Sequence, residues 1–248
     1  MALLNPISLL FVSLPLLAAA ISGQFSRTSL GIASRTILSV GVAGTFIGNI
    51  HMLAQMDDPN NLLPAFSVSL LTALYAAFGK ILLDIFEAQK PIPAPVNPGP
   101  ANAALATTIG LATLVGAMVW GGRLLIFLDS LASGLFLLGT ALIAAISVRL
   151  GSRCIEGDLA RFLPHFGLFI LYASIVAVLP VLSDPSEIGP VIAWGFLGHL
   201  YCNVASLLIR LAAPHRIHAY SRLTDWLIFA SSVGGVCLHM TLVVWSVY

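Results

Sequence analysis

Residues 44–83 read GTFIGNIHMLAQMDDPNNLLPAFSVSLLTALYAAFGKILL and contain two long apolar segments on either side of one polar turn. The turn is Asp57-Asp58-Pro59-Asn60-Asn61, in which the proline can open the following helix. A helix needs about 20 mostly apolar residues to cross a bilayer, and each segment belongs to a run of that length. The stretch therefore predicts two transmembrane helices joined by a short loop.

The composition of the whole chain also favours a membrane environment. Of its 248 residues, 58% are hydrophobic and only 8% are charged, whereas soluble domains carry roughly 25% charged residues. Lipid tolerates a surface so poor in charge. The net charge of +1 gives no basic field, so we expect no nucleic-acid partner. The scattered Cys154, Cys202 and Cys237 are typical of small apolar residues rather than of a disulfide or metal framework, and we expect no cofactor.

Extending the pattern along the chain predicts an all-α integral membrane protein with about eight transmembrane helices. The expected spans are 3–22, 34–55, 62–86, 102–121, 124–148, 163–182, 188–212 and 223–247. No Lys or Arg precedes Arg27, so the first span lacks the basic start of a signal peptide and is expected to be retained. Five prolines between residues 88 and 102 predict a semi-rigid linker there.

The basic residues predict the orientation in the membrane. Ten of the eleven Lys and Arg residues fall in the loops 23–35, 80–102, 149–162 and 210–222, and only Arg123 falls outside them. Because cytoplasmic loops are enriched in Lys and Arg, we expect both termini on the outer, periplasmic side.

An internal repeat is indicated by residues that recur 126 positions later. Asp58-Pro59, Pro64, Leu71, Leu74 and Tyr75 recur as Asp184-Pro185, Pro190, Leu197, Leu200 and Tyr201. Since this offset is close to half the chain, it predicts two four-helix repeats. An even number of helices in each makes the repeats parallel, unlike the inverted repeats of many transporters.

The block 44–83 resembles the paired core helices of the MotA/TolQ/ExbB proton-channel family, and most of all the flagellar stator subunit MotA. The features that carry the resemblance are Gly44 and Gly48 on one helix, the Asp57-Asp58-Pro59 turn, Pro64, and residues 70–75. A weaker match runs from 105 to 210. On this basis residues 1–87 resemble a first MotA-like repeat without its first helix and 103–213 a complete second one. Residues 223–247 form an additional helix.

The resemblance implies a homo-oligomeric ring in the bacterial inner membrane. Family members place five subunits around two helices of a MotB/TolR/ExbD-like partner, whose single membrane helix carries the proton-binding aspartate. A ring of five units cannot be tiled by chains that contribute two each, so either the ring holds an even number or only one half lines its centre. The segment 149–162 is a short polar loop where MotA has a large cytoplasmic domain.

Three residues are expected on an ion pathway: Thr72, Tyr75 and His199. Thr72 matches a hydroxyl-bearing position of the family's pore-lining helix, although a threonine can also bond its own helix backbone. The equivalent residue in the second half is Gly198, which favours the first half as the pore. For His199, as for His239, a hydrogen-bonded packing role is an equal alternative. We do not expect the histidines to bind haem.

Other residues have structural expectations. Gly41, Gly44 and Gly48 predict close helix packing. The acidic turn residues Asp57, Asp58, Asp184 and Glu187 are expected to cap helices rather than to form a cation-attracting vestibule. Asp129 is a further expected cap. Lys80, Asp84 and Glu87 are expected to be solvated charges at a helix end.

The function predicted by these observations is that of a non-enzymatic subunit in proton- or sodium-driven energy transduction, since no catalytic set or phosphate-binding loop is present in the sequence. Two alternatives stay open. One is a membrane scaffold that has kept the fold and lost conduction, and the other is a small-molecule transporter built from parallel repeats.

Overall fold

The chain folds as helices joined by short turns, without a strand, in the parts that the computed structural model describes, which are residues 5–54, 59–89, 97–120, 124–182, 185–217 and 222–247. The helices are α1 (Pro6–Ser22), α2 (Arg27–Leu53), α3 (Pro59–Gln89), α4 (Pro100–Trp120), α5 (Ser130–Arg149), α6 (Ile155–Val178), α7 (Pro185–Ala212) and α8 (Arg222–Val247). Short 3₁₀ turns precede α5 and follow α6 and α7. The prediction of an all-α membrane protein is confirmed.

Seven of these helices are long and apolar enough to cross a membrane. The eighth, α1, has 17 residues, about 26 Å at 1.5 Å per residue, which is slightly short of a typical hydrocarbon core of about 30 Å. The protein is therefore a multi-pass membrane protein, and its described residues contain seven helices of full spanning length and one shorter apolar helix. Which face is cytoplasmic stays a prediction.

Two predicted boundaries are wrong in the same way. The second span was expected from residue 34 and the sixth from residue 163, but α2 begins at Arg27 and α6 at Ile155. Their first two turns are polar, and sequence periodicity takes such turns for loop. They are helical because their polar side chains form hydrogen bonds with nearby segments of the chain. For example, the hydroxyl of Thr28 donates to the carbonyl of Gly23. The loop expected at 149–162 thus shrinks to the turn before α6.

Two helices lie at the centre of the bundle. In the most apolar part of each span, 78% of residues are buried in α2 and 61% in α7, against 17% in α4 and 22% in α5. α2 packs on α1, α3, α7 and α8, and α7 packs on α6, α2, α5 and α4. The end of the bundle where α1, α3, α5 and α7 finish is called the basic end below, and the other is called the turn end.

The first three helices of each half make the same contacts. α1, α2 and α3 pack on one another, as do α5, α6 and α7. At the turn end, the hydroxyl of Tyr75 accepts a hydrogen bond from the backbone N–H of Asn5, the N-cap of α1 (3.0 Å). The hydroxyl of Tyr201 lies 3.4 Å from the N–H of Asp129, the N-cap of α5, and donates to the carbonyl of Phe127. These matching contacts support the predicted duplication.

The fourth helix of each half breaks the correspondence. α4 packs mainly on α1 and α7, whereas α8 packs on α2, α6 and α7.

The expected cap is present at the start of α5, where Asp129 accepts from the N–H of Ala132 at 2.6 Å. Of the proline-rich linker, residues 90–96 lie outside the described part of the chain, and α3 and α4 take most of its remaining residues.

Candidate functional site

A strip of glycines brings α2 and α3 into close contact. A Cβ added at Gly48 would lie 2.7 Å from the Cβ of Ser69, one at Gly44 would meet the methyl of Thr72, and one at Gly41 would meet the Cβ of Ala76. Backbones approach this closely only where one side lacks a side chain. The three glycines therefore lie where close packing was expected, within the first half of the chain.

Thr72 lies on the wall of an open cavity of about 340 Å³ that α1, α2, α3 and the end of α4 line at the turn end. The side chain of Thr72 is 5% exposed, and its methyl group faces Gly44. The walls are mostly apolar, and they include Phe11, Ile47, Met52, Val68, Ala117 and Trp120. The other polar side chains on the wall are Ser8, His51 and Ser69.

The polar groups beside this cavity are ordered by hydrogen bonds. Ser69 donates to the carbonyl of Phe66 at 2.8 Å and accepts from Asn49 at 2.9 Å. Nε2 of His51 lies 3.2 Å from the carbonyl of Ala117, which joins α2 to α4. Phe11 of α1 also lines the cavity and lies next to Gly44. Thr72 thus borders a space that this chain's own first helix lines in part.

Tyr75, the second residue expected on an ion pathway, has its hydroxyl at the start of α1, as described above. Its phenol ring is half-buried against the core of the bundle. The hydroxyl of Tyr75 therefore joins α3 to α1, and Tyr75 is not among the residues that line the cavity beside Thr72.

His199, the third such residue, lies in the second half and is fully buried. Its Nε2 lies 2.9 Å from the hydroxyl of Ser232 on α8 and 3.0 Å from Nδ2 of Asn203, one turn further along α7. The ring packs on Phe46 of α2 with 4.7 Å between centroids. These contacts are those of the packing alternative, because polar groups that meet between membrane helices hold them together.

His239 has an equivalent arrangement closer to the turn end. Its Nε2 lies 2.9 Å from the hydroxyl of Ser174 on α6, and its Nδ1 lies 2.8 Å from the carbonyl of Gly235. Both ring nitrogens of His239 therefore have protein partners. Phe196 packs edge-on against its ring with 5.0 Å between centroids.

A cluster of charges at the basic end was missed by the sequence reasoning. Lys80 was expected to be solvated, yet it is 2% exposed; its ammonium donates to Asp84 at 2.7 Å and to Ser34 of α2 at 2.8 Å. The indole of Trp226 on α8 donates to the same carboxylate at 3.4 Å. The expected i,i+4 pair exists, but the expectation of solvation is wrong because α2 and α8 cover it.

A second ion pair of this cluster joins α7 and α8. Arg210 lies 3.8 Å from Asp225, and it also donates to the carbonyl of Arg35 on α2. Arg210 is 3% exposed. One feature of the sequence could have indicated this charge cluster. Arg210 follows Asp84 by the same 126 residues that relate the two halves, so both halves have a charged residue at this position.

Of the acidic turn residues, the structure describes only one side chain. Glu187 is exposed in the first turn of α7, the position expected of a residue that favours a helix start. Asp57, Asp58 and Asp184 lie outside the described residues, so their assignment to caps or to a vestibule stays a prediction.

Comparison with known proteins gives one short similarity. Over 39 residues the chain is 49% identical to the chemotaxis protein PomA of Vibrio alginolyticus, which is 16% of this chain and 15% of PomA. No protein-family model matches the chain, and no solved structure matches it. The aligned stretch spans less than a sixth of PomA, and it suggests at most a relation to MotA-like proteins.

Proposed function

We propose that this chain is a non-enzymatic, MotA-like subunit of an ion-driven complex in the bacterial inner membrane, where it surrounds the single membrane helix of a partner. The local similarity to PomA and the resemblance of residues 44–83 support this assignment. The partner would supply the carboxylate that takes up a proton or sodium ion. Thr72 would supply a hydroxyl group on the pathway.

The observation that carries the proposal is a difference between two helix pairs. It lies at Thr72 in the α2–α3 pair and at the equivalent residue, Gly198, in the α6–α7 pair. In the first half Thr72 and Gly44 border the 340 Å³ cavity. At the equivalent place in the second half, a Cβ on Gly198 would lie 2.7 Å from the Cγ2 of Ile170, so the isoleucine fills the space. Only the first pair combines a hydroxyl group with open volume at this position.

A replacement of Thr72 by valine tests the role of the hydroxyl, because valine keeps the shape and removes the polar atom. We expect Thr72→Val to abolish ion-driven activity, measured as dye-reported proton or sodium flux in inverted membrane vesicles that contain the native complex. Thr140→Val is the matched control, because the hydroxyl of Thr140 bonds the carbonyl of Phe136 on its own helix, far from the cavity. Flux unchanged in Thr72→Val vesicles would remove Thr72 from the pathway.

A non-conducting scaffold is the second candidate. The observation that favours it is the burial of Thr72, which is 5% exposed on a cavity that this chain's own α1 also lines. A scaffold would show no flux in either variant while still copurifying with its complex.

A further inference from the structure

We infer that a cavity between α5 and α6 at the basic end binds a zwitterionic phospholipid with a primary amine, phosphatidylethanolamine. Arg161 would hold the phosphate of the headgroup, and Asp158 would accept hydrogen bonds from its ammonium group. The site would be present whether or not the chain conducts ions, so it is independent of the proposed function.

The α5–α6 cavity has the size of a ligand site. It is open, measures about 510 Å³, and lies between the last turns of α5 and the first turns of α6. Small-molecule sites typically measure about 300–1,000 Å³. The space is therefore too large to be a packing defect between two neighbouring helices.

The walls of the α5–α6 cavity combine apolar and polar side chains. The apolar ones are Ile143, Ile146, Leu150 and Phe162, and the polar ones are Ser147, Ser152, Asp158 and Arg161. The two charged residues lie in the first two turns of α6. Ile143 lies seven residues before the end of α5 at Leu150, about 10 Å further along the helix axis. Charges near the helix ends with apolar walls that reach deeper match a lipid headgroup and the start of its acyl chains.

Ser147 has a buried hydroxyl group on the cavity wall. Its side chain is 5% exposed, and within the described part of the chain its hydroxyl forms no hydrogen bond. Buried polar groups in native proteins almost always have a hydrogen-bond partner. This hydroxyl is therefore available to a phosphate or glycerol oxygen of a ligand in the cavity.

Asp158 and Arg161 place opposite charges side by side. They are three residues apart on α6, a spacing at which side chains are neighbours on one helix face. The guanidinium of Arg161 lies 5.2 Å from the centre of the Phe162 ring. Among the described residues, none forms an ion pair with the half-buried carboxylate of Asp158. A guanidinium suits a phosphate, and the carboxylate can accept from an ammonium group.

The surroundings of the α5–α6 cavity favour a lipid over a water-soluble ligand. Only 22% of the most apolar part of the α5 span is buried. Leu138, Leu142 and Ile146 on this helix are 61%, 51% and 49% exposed. Because Ile146 also lines the cavity, the cavity is continuous with an apolar surface of the bundle. Acyl chains can lie along that surface while the headgroup occupies the cavity.

The equivalent positions in the first half belong to the protein core. The 126-residue offset places Ile32 at the position of Asp158 and Thr36 at that of Phe162. Ile32 and Thr36 are 2% and 1% exposed. In the second half this surface borders open space and includes a carboxylate. The change from isoleucine to aspartate suits a cationic ligand group better than another apolar helix.

The charges on the wall also distinguish among phospholipids. They are one acid and one base, so an anionic headgroup would satisfy Arg161 but leave Asp158 beside a like charge. Phosphatidylcholine has the phosphate, but its quaternary ammonium has no N–H to donate. Phosphatidylethanolamine provides both a phosphate and an ammonium that donates hydrogen bonds to a carboxylate.

Lipid titration of the purified full-length chain tests this preference without a substitution. The dissociation constants of four lipids are measured from adduct masses by native mass spectrometry in a neutral detergent. The lipids are phosphatidylethanolamine, its N-methyl and N,N-dimethyl forms, and phosphatidylcholine. We expect the dissociation constant to rise with each methyl group, by about tenfold over the series, the effect of losing one charge-assisted hydrogen bond. Phosphatidylglycerol should bind more weakly than phosphatidylethanolamine.

Two variants assign the headgroup contacts. Asp158→Asn should weaken phosphatidylethanolamine about tenfold and leave phosphatidylcholine unchanged. Arg161→Gln should weaken both lipids by a similar factor, because both contain the phosphate. Glu187→Gln is the matched control for Asp158→Asn, since Glu187 is an exposed acid in the first turn of α7, at the other end of the bundle. It should leave the binding of both lipids unchanged.

Four results would each overturn the inference. They are equal binding of phosphatidylethanolamine and phosphatidylcholine by the unmodified chain, tighter binding of phosphatidylglycerol, an unchanged lipid preference in Asp158→Asn, and an equal loss in Glu187→Gln. The methylation series retains its meaning if a variant fails to fold, because it changes only the lipid.

Discussion

The α2–α3 pair and the α6–α7 pair pack closely in the same way, but at two positions the small residue lies on the opposite helix. Gly44 faces Thr72 in the first pair, whereas Ile170 faces Gly198 in the second. Likewise Gly48 faces Ser69, whereas Ser174 faces Gly195. The close approach of the two helices therefore constrains the combined volume of each facing pair, not the identity of either residue.

The two pairs differ in where they place polar groups. The first pair has its buried charges, Lys80 and Asp84, at the basic end. In the second pair the equivalents of these residues are Ser206, which donates to the carbonyl of Ala160 at 2.6 Å, and Arg210. The second pair also has His199 at mid-depth. Similar backbones thus support a cavity beside Thr72 in one half and the side chain of Ile170 beside Gly198, the equivalent position, in the other.

The largest effect on this comparison is expected from Lys80→Met, which removes the ammonium but keeps the apolar stem. Asp84 would remain covered by Trp226 and Ser34 without its cation. Breaking a buried pair in this way costs about 3–5 kcal/mol, measured as the free energy of unfolding in detergent micelles. Arg222→Met is the control, because the pair of Arg222 with Glu87 (3.4 Å) has its arginine half exposed and is expected to contribute less than about 1 kcal/mol. Equal losses in the two variants would show that the burial of Lys80 has no energetic consequence.

A smaller effect is expected from Gly44→Ile, which places the second half's residue into the first. The new Cβ would meet the methyl of Thr72 and the ring of Phe11, and overpacking of this kind costs about 1–3 kcal/mol. Adding Thr72→Gly recreates the pair formed by Ile170 and Gly198 and should recover the part of the loss that comes from the threonine methyl, while the contact with Phe11 stays. Thermal unfolding of the three proteins measures this, and a double variant no more stable than Gly44→Ile would argue against equivalent packing.

The smallest effects are expected from Tyr75→Phe and Tyr201→Phe. Each removes a hydroxyl that contacts the start of an equivalent helix, α1 or α5, and a hydrogen bond of this kind contributes about 1 kcal/mol. We expect similar decreases in thermal stability from the two variants. A decrease in one variant with no change in the other would show that the two tyrosines are not equivalent.

The helices could be predicted from the sequence because lipid requires long apolar runs, and seven such runs have the necessary length. The offset between Tyr75 and Tyr201 likewise predicted positions that prove to make corresponding contacts. The early starts of α2 and α6 could not be predicted, since their first turns have polar residues whose partners come from other chain segments.

The candidate site was only partly predictable. Thr72 was assigned to a pore-lining face, and the structure places it on the wall of a cavity that is also lined by Phe11, 61 residues away in the chain. The burial of Lys80 depends on Ser34 and Trp226, which the fold brings from α2 and α8. Sequence spacing shows the i,i+4 pair, but it does not show which helices cover it.

The opposite charges at Asp84 and Arg210 have a consequence for any assembly built from such chains. A ring of identical single-unit subunits repeats each side chain at every position, so an acid at one position is an acid at all of them. A chain that contains two diverged units is free of this constraint, because adjacent positions are encoded separately and inherited together. If copies of this chain assemble into a ring, covalent linkage would keep acidic and basic positions in strict alternation, without the need for two different subunits to find each other in the membrane.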